Sequence, residues 1–430
     1  MSGWHPSTMR SVALLAYAGV FACLKIWVFT GSSLIDTCIF MAVLASIFFA
    51  TTDNVAPWAS RTVLAAILLF VLPVVGLANT FYLDVTTQVA IYAVLALGLN
   101  IVVGLAGLLD LGFIAFFALG AYLWAILGST QASMFLPGSF PLPAEAFFLV
   151  LPIGVGVAAL AGILLGLPVL RLRGDYLAIV TLGFGEMVRI LANNLDKPVN
   201  ITNGPQGIAG IAQPLNGLAI ALATDAVPEY KWQALIYYFF VLCLIGCAIL
   251  VNRRLDASRI GRAWVAIRED EIAAQAMGIP LVATKLIAFA TGAAMAGGVG
   301  VLFAAKQTYV SPESFDFNQS IAVLAMIVLG GLGSIRGAVL GAAAVTLLNL
   351  QVLKVLSAWL NTMRADGVEF LGFSFANLPA QFEPSKYERL IFGIILIIMM
   401  LYRPQGLVPA KRKNIGIDVD SSTGKPGNQA

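Results

Sequence analysis

The chain has 430 residues, of which 60% are hydrophobic and 11% charged, with a formal net charge of +3. An ordinary soluble domain carries about 25% charged residues, and a mean hydropathy of +0.91 over this length exceeds what one soluble core can hide. The apolar runs are continuous rather than alternating, which argues against a transmembrane barrel. The expectation is an all-α fold: a polytopic transmembrane helical bundle of about 10–12 spans, with no room for a separate soluble domain.

In chain order, apolar segments fall near 11–29, 34–50, 62–82, 86–103, 113–128, 146–170, 176–192, 234–252, 285–305, 319–334, 337–356 and 387–402. Arg10 followed by the first apolar run has the outline of a signal peptide. The run is long and ends without a small-residue cleavage site, so an uncleaved first helix is expected. The segments 104–128 and 319–345 are rich in glycine, where broken or re-entrant helices are the alternative to plain spans. Irregular backbone at membrane depth is tolerated only against protein or a water-filled cavity.

With the N-terminus in the cytoplasm, 16 Lys and Arg fall on the cytoplasmic side, 8 on the opposite side, and Lys25 within the first span. The positive-inside rule therefore places both termini in the cytoplasm. Residues 193–233 and 357–386 then face outward, and 253–284 forms the main cytoplasmic loop. The tail 411–430 is polar and is expected to be disordered. The cysteines lie inside apolar runs and read as packing residues, no metal site is expected, and His5 sits in the N-terminal tail.

The 253–284 loop carries the clearest signal. Arg268 to Met277 reads as a short amphipathic helix outside the membrane, with Glu269, Asp270 and Glu271 crowding a first turn that suits the helix dipole. Ala273, Ala274 and Ala276 give it a small-residue surface, and Gly278 and Pro280 stop it. Such a knob fits a groove on a partner. A solvated connector is the plainer reading.

Glu271-x-Ala273-Ala274-x-x-x-Gly278 resembles the coupling motif of ABC importer permeases. More specifically, 102–122 (VVGLAGLLDLGFIAFFALGAY), 170–190 (LRLRGDYLAIVTLGFGEMVRI), 311–315 (SPESF), 328–334 (VLGGLGS) and 403–407 (RPQGL) resemble, in order, the LivM-type permeases of branched-chain amino acid ABC importers. The resemblance covers roughly 85–410. It implies a permease domain there, an N-terminal extension with its own transmembrane helices over 1–84, and a location in the bacterial inner membrane. It also implies a second homologous permease subunit, two ATPase subunits that carry ATP and Mg, and a solute-binding protein. Arg268, Glu271, Ala273, Ala274 and Gly278 are its candidate ATPase-coupling residues. No cofactor is expected in this chain, which has no GxxxxGK[ST] phosphate loop, and no nucleic acid is expected as a partner.

Other polar or small residues admit two readings. Glu186 and Arg189 are three apart in an apolar run, so they meet on one helix face; a local structural pair is the simpler role, a gate or substrate path the sharper one. Asn100, Gly104, Gly107, Asp110, Gly330 and Gly331 lie in the two glycine-rich regions, which share a weak internal repeat. They are candidates for the same path, with close helix packing as the plain alternative. Asn200, Thr202 and Gly204 in the outer loop are candidates for docking a binding protein or form a turn. There the family's Thr-Gly-Gly-Pro-like segment has Asn203 in place of its first glycine. Rival functions are a permease for urea, short amides or another small solute, and an ion-driven secondary transporter.

Overall fold

In the computed structural model, described residues are 6–27, 33–50, 57–169, 175–224, 228–365, 369–370, 373–374 and 387–409. His5, Arg171, Arg173 and the tail 411–430 lie outside the described residues.

Helices form where the apolar runs predict them, and polar side chains cap the starts of α5, α11, α12, α14 and α15. In order they are α1 Pro6–Trp27, α2 Ser33–Ala50, α3 Pro57–Ala66, α4 Leu72–Ala78, α5 Thr80–Leu99, α6 Ile114–Leu127, α7 Phe147–Val169, α8 Asp175–Asn194, α9 Asn216–Leu222, α10 Glu229–Asp256, α11 Arg259–Glu269, α12 Glu271–Ala276, α13 Leu281–Gln307, α14 Phe317–Gly330, α15 Ile335–Leu347, α16 Leu353–Ala365 and α17 Glu388–Tyr402. Wider π-helical turns at Ile67–Val71 and Leu348–Val352 join α3 to α4 and α15 to α16, and another, Asn100–Leu105, ends α5. Asn79 turns the chain from α4 into α5, its side chain accepting the N–H of Phe81 at 3.0 Å. Asp316 caps α14 and Ser334 caps α15 in the same manner.

Among the described residues seven helices are long and apolar enough to cross a membrane, and Thr37–Ile47, Ile114–Leu127 and Gly393–Tyr402 are shorter apolar stretches. The difference from an even set of spans is physical. At 1.5 Å per residue, the 14 residues each of α6 and α14 reach about 21 Å, short of a hydrocarbon core of about 30 Å. Both follow segments that are not α-helical, 106–113 and 311–316, and the second glycine-rich region is interrupted again at 331–334 between α14 and α15, so both glycine-rich regions hold broken helices.

α13 is the central post. It packs on α5, α6 and α7, and the close approach needs glycine: a Cβ at Gly120 would collide with the carbonyl of Gly297 on α13. A second apolar cluster joins α1–α4 to α5, α10 and α15 through Phe40, Val43, Val63, Leu83, Tyr238 and Leu347. In it Lys25, 1% exposed, donates to the Tyr82 hydroxyl at 3.0 Å. Two short antiparallel pairs complete the fold. β1 Ile208–Ala209 pairs with β2 Tyr309–Val310, Ile208 opposite Val310, and β3 Glu369–Phe370 pairs with β4 Phe373–Ser374.

Candidate functional site

The break after α5 is built from its polar and glycine residues. The π-helical turn stops at Leu105, and Gly107 turns the chain at φ +70°. Asp110, 1% exposed, accepts the N–H of Gly112 at 2.9 Å. The N–H of Leu111 donates to the Thr181 hydroxyl of α8 at 3.0 Å. A Cβ at Gly112 would collide with the backbone of Thr181. The irregular stretch is therefore held between α5 and α8.

The second break, Gly331–Ser334, meets the first directly. Asn100, fully buried, accepts the N–H of Gly333 at 2.9 Å, and a Cβ at Gly104 would press on both Asn100 and Gly333. Gly331 has φ +122°, and Gly330 and Gly331 face backbone: Gly330 meets Gly337, and Gly331 meets Gln405 and Val408. The segment after α17 closes over them, with Leu407 donating to the carbonyl of Leu329 and Val408 to that of Gly330, both at 2.9 Å. Gly330 and Gly331 thus pack backbone against backbone. The Arg403–Leu407 motif precedes and enters the strip of chain that covers the end of α14.

The basic loop is two helices, which corrects the expected single helix from Arg268. Arg268 lies in the last turn of α11, and Asp270, at φ −156°, breaks the chain there. The Asp270 carboxylate caps α12, accepting the N–H groups of Ile272 at 2.9 Å and Ala273 at 3.0 Å. Glu269 belongs to the preceding helix, so the first turn of α12 holds Glu271 alone among the acids. Arg268, itself exposed, instead donates through Nη1 to the carbonyl of Gly104, with its Cγ 2.8 Å from where a Cβ on Gly107 would stand. Glu271 Oε1 lies 2.7 Å from Lys285 Nζ, whose side chain is 5% exposed. Ala274 is buried, so the small-residue surface faces inward there. α12 presents Ile272 (71% exposed), Ala273, Gln275 and Ala276 outward, and Met277 (83% exposed) follows at its C-cap; sequence reasoning passed over the exposed Ile272 and Met277. Gly278 ends the turn at φ +84° with open space around it.

On α8, Glu186 and Arg189 do pair: Nε and Nη2 of Arg189 each lie 2.8 Å from Glu186 Oε2. Beyond α8, the loop that follows is built inward. The Thr202 hydroxyl donates to the carbonyl of Ala192 at 2.7 Å, and Asn200 Oδ1 accepts from Gln131 Nε2 and from the N–H of Asn203, both at 2.8 Å. Thr202 and Gly204 are buried, and Pro205 and Gln206 are the exposed positions beside them. Asn203 has φ +60°, a left-handed conformation that Gly and Asn adopt most readily, which explains the exchange at this position.

The structure thus joins Asn100, Gly104, Gly107 and Arg268 in one cluster, continues it through Leu111 and Gly112 to Thr181 of α8, and leaves Asn200, Thr202 and Gly204 as a separate group. The arrangement is a continuous chain of contacts from the basic loop through the helix breaks to α8.

Comparison with known proteins adds the relatives. Residues 81–400 match the family model described as branched-chain amino acid transport system / permease component. The chain is 36% identical over 424 residues to the high-affinity branched-chain amino acid transport system permease protein LivM of Salmonella typhimurium, covering 93% of this chain and 89% of the relative. It is 39% identical over 355 residues to LivM of Escherichia coli K12, covering 80% and 73%. The permease protein LivH of Salmonella typhimurium is 28% identical over 287 residues, covering 65% and 86%. No solved structure gives a significant match.

Proposed function

The chain belongs to the branched-chain amino acid transport system permease family, and from that premise we propose that it is one of two transmembrane subunits of an ATP-driven importer of leucine, isoleucine and valine. It is a multi-pass membrane protein. The charge distribution supports a place in the bacterial inner membrane with both termini in the cytoplasm. Its partners are a second homologous permease, two ATPase subunits that carry ATP and Mg, and a solute-binding protein on the outer side. ATP hydrolysis belongs to those separate subunits.

One observation carries the reading: α12, capped and standing out from the basic loop with Ile272 and Met277 exposed, is tied to the helix break by the bond from Arg268 to Gly104. A force applied to α12 by an ATPase passes through Arg268 to the junction of α5, α6 and α8. Alternating access then needs each state to be favoured by a ligand with differential affinity: nucleotide on the inner side, loaded binding protein on the outer. The docking role of the outer loop falls to its exposed positions beside Asn200, Thr202 and Gly204.

Proteoliposomes rebuilt with all subunits test this. Radiolabelled leucine should accumulate only with ATP and binding protein present, and urea should not. Leucine uptake that persists without the ATPases, or follows an imposed ion gradient, would overturn the ATP-driven reading; uptake of urea in place of leucine would overturn the substrate class.

A further inference from the structure

α8 is the least apolar and least buried of the seven long helices, with a mean hydropathy of 1.3 and 22% of its most apolar stretch buried. α7 and α10 are nearly as open, at 28% each, but their mean hydropathies are 2.6 and 2.7, suited to lipid. An open helix with the lowest hydropathy needs another neighbour. Its polarity sits in Glu186 and Arg189, 31% and 32% exposed. Ionised side chains within a span face the protein interior or a water-filled cavity rather than hydrocarbon.

The pair is built to share its charges. Both contacts from Arg189 converge on one carboxylate oxygen, Oε2, using two of the guanidinium's five donors and one of the carboxylate's two oxygens. Among the described residues no other side chain bonds either group. One turn before Glu186, Gly183 is exposed, with no atom within 4 Å of a Cβ position, which leaves a notch beside the pair. Met187 and Ile190, 49% and 52% exposed, add apolar surface next to it.

We propose that Glu186 and Arg189 form a transient site for the zwitterionic head of an amino acid in transit, Arg189 taking the α-carboxylate, Glu186 the α-ammonium, and the apolar side chain lying along Met187 and Ile190. This rests on the amino-acid reading above. A neutral pair has no preference for a simple cation or anion; a zwitterion satisfies both ends at once, and bidentate Arg–carboxylate pairing is strong and directional. The position fits a path. The Thr202–Ala192 bond ties the outer loop to the far end of α8, and Thr181 and Gly185 on the other side of the pair seat the helix break at Leu111 and Gly112. A ligand at the pair lies between the outer loop and the element that Arg268 holds.

The test uses the complete transporter in proteoliposomes with E186Q, R189Q and the double variant E186Q/R189Q. Removing one partner strands an ion, whereas removing both leaves a helix of the same shape. For a structural pair the double variant recovers towards wild type. For a zwitterion site it loses maximal leucine uptake by about tenfold or more, with subunit association and the half-saturating concentration of loaded binding protein unchanged. A double variant that transports within about twofold of wild type, or one that loses subunit association instead of rate, overturns the site. Wild-type proteoliposomes that fail to take up leucine overturn the substrate reading, and the site with it.

Discussion

Asn100 accepts the backbone N–H of Gly333 at 2.9 Å, so a single buried amide joins two helix breaks that are 233 positions apart. Asn100 Nδ2 has no hydrogen-bond partner among the described residues, so the side chain is held by its acceptor oxygen. Asn100→Ala strands the Gly333 N–H, a loss of about 1–3 kcal/mol. Gly104→Ala should cost more, because its methyl meets the Gly333 backbone as well as a side chain. Thermal unfolding of the purified chain in detergent measures both. An Asn100→Ala protein as stable as wild type would remove the amide's structural role.

Arg268 is expected to act by transmission. Its guanidinium donates to Gly104 while the neighbouring α12 offers the exposed surface. Arg268→Ala should therefore leave the ATPase bound and lower leucine uptake by about tenfold or more, the range for loss of a charge-assisted hydrogen bond. Arg268→Lys keeps charge but not the planar fork, and should recover only part of the rate. Gly107→Ala disturbs the same joint from the other side, through a strained φ of +70° and a meeting with Arg268 Cγ. Co-purification and uptake measured on the same samples separate transmission from docking; loss of both together in Arg268→Ala would contradict the assignment.

Local patterns made parts of this legible in the sequence. Three-residue spacing identifies the Glu186–Arg189 pair, and glycine and proline stop α12 where expected; the stretch around Asn203 reads as a turn, and the structure adds that Asn203 is left-handed there. Long-range partners were not legible. Arg268 reads as part of the α12 knob because sequence spacing does not show that Asp270 turns its backbone out and becomes a cap. Gly104 is 164 positions from Arg268, and only the folded bundle brings them together. Thr202 and Gly204 read as surface because outer loops are polar, yet this loop satisfies its own hydrogen bonds inward. Nor does an apolar run disclose depth: α6 and α14 are apolar enough for spans but too short.

The Glu271–Lys285 ion pair should be worth more broken than removed. Lys285 is 5% exposed and Glu271 30%, so Glu271→Ala leaves a buried ammonium without its partner. The expected loss is about 3–5 kcal/mol for a fully buried pair, with this one at the lower end. Lys285→Met strands only the more open carboxylate and should cost less. The double variant Glu271→Ala/Lys285→Met should return close to wild-type stability. A thermal-unfolding double-mutant cycle gives the coupling directly, and additive losses would show that the two groups do not depend on each other.

Gly278 separates backbone strain from docking. It has φ +84°, with no atom within 4 Å of a Cβ position. Any L side chain there costs about 1–2 kcal/mol of conformational strain, and Asn costs less. Within the chain itself, however, Gly278 is exposed and the Cβ of either Ala or Arg enters open space. Gly278→Ala and Gly278→Arg should therefore melt at similar temperatures in the purified permease. If α12 seats in a cleft of an ATPase, only the long cationic side chain collides, and co-purification of the ATPase should survive in Gly278→Ala but fall several-fold in Gly278→Arg. Equal retention in both variants would place the ATPase contact elsewhere on the basic face, while equal loss would make the turn's geometry, rather than the space beyond it, the feature that docking requires.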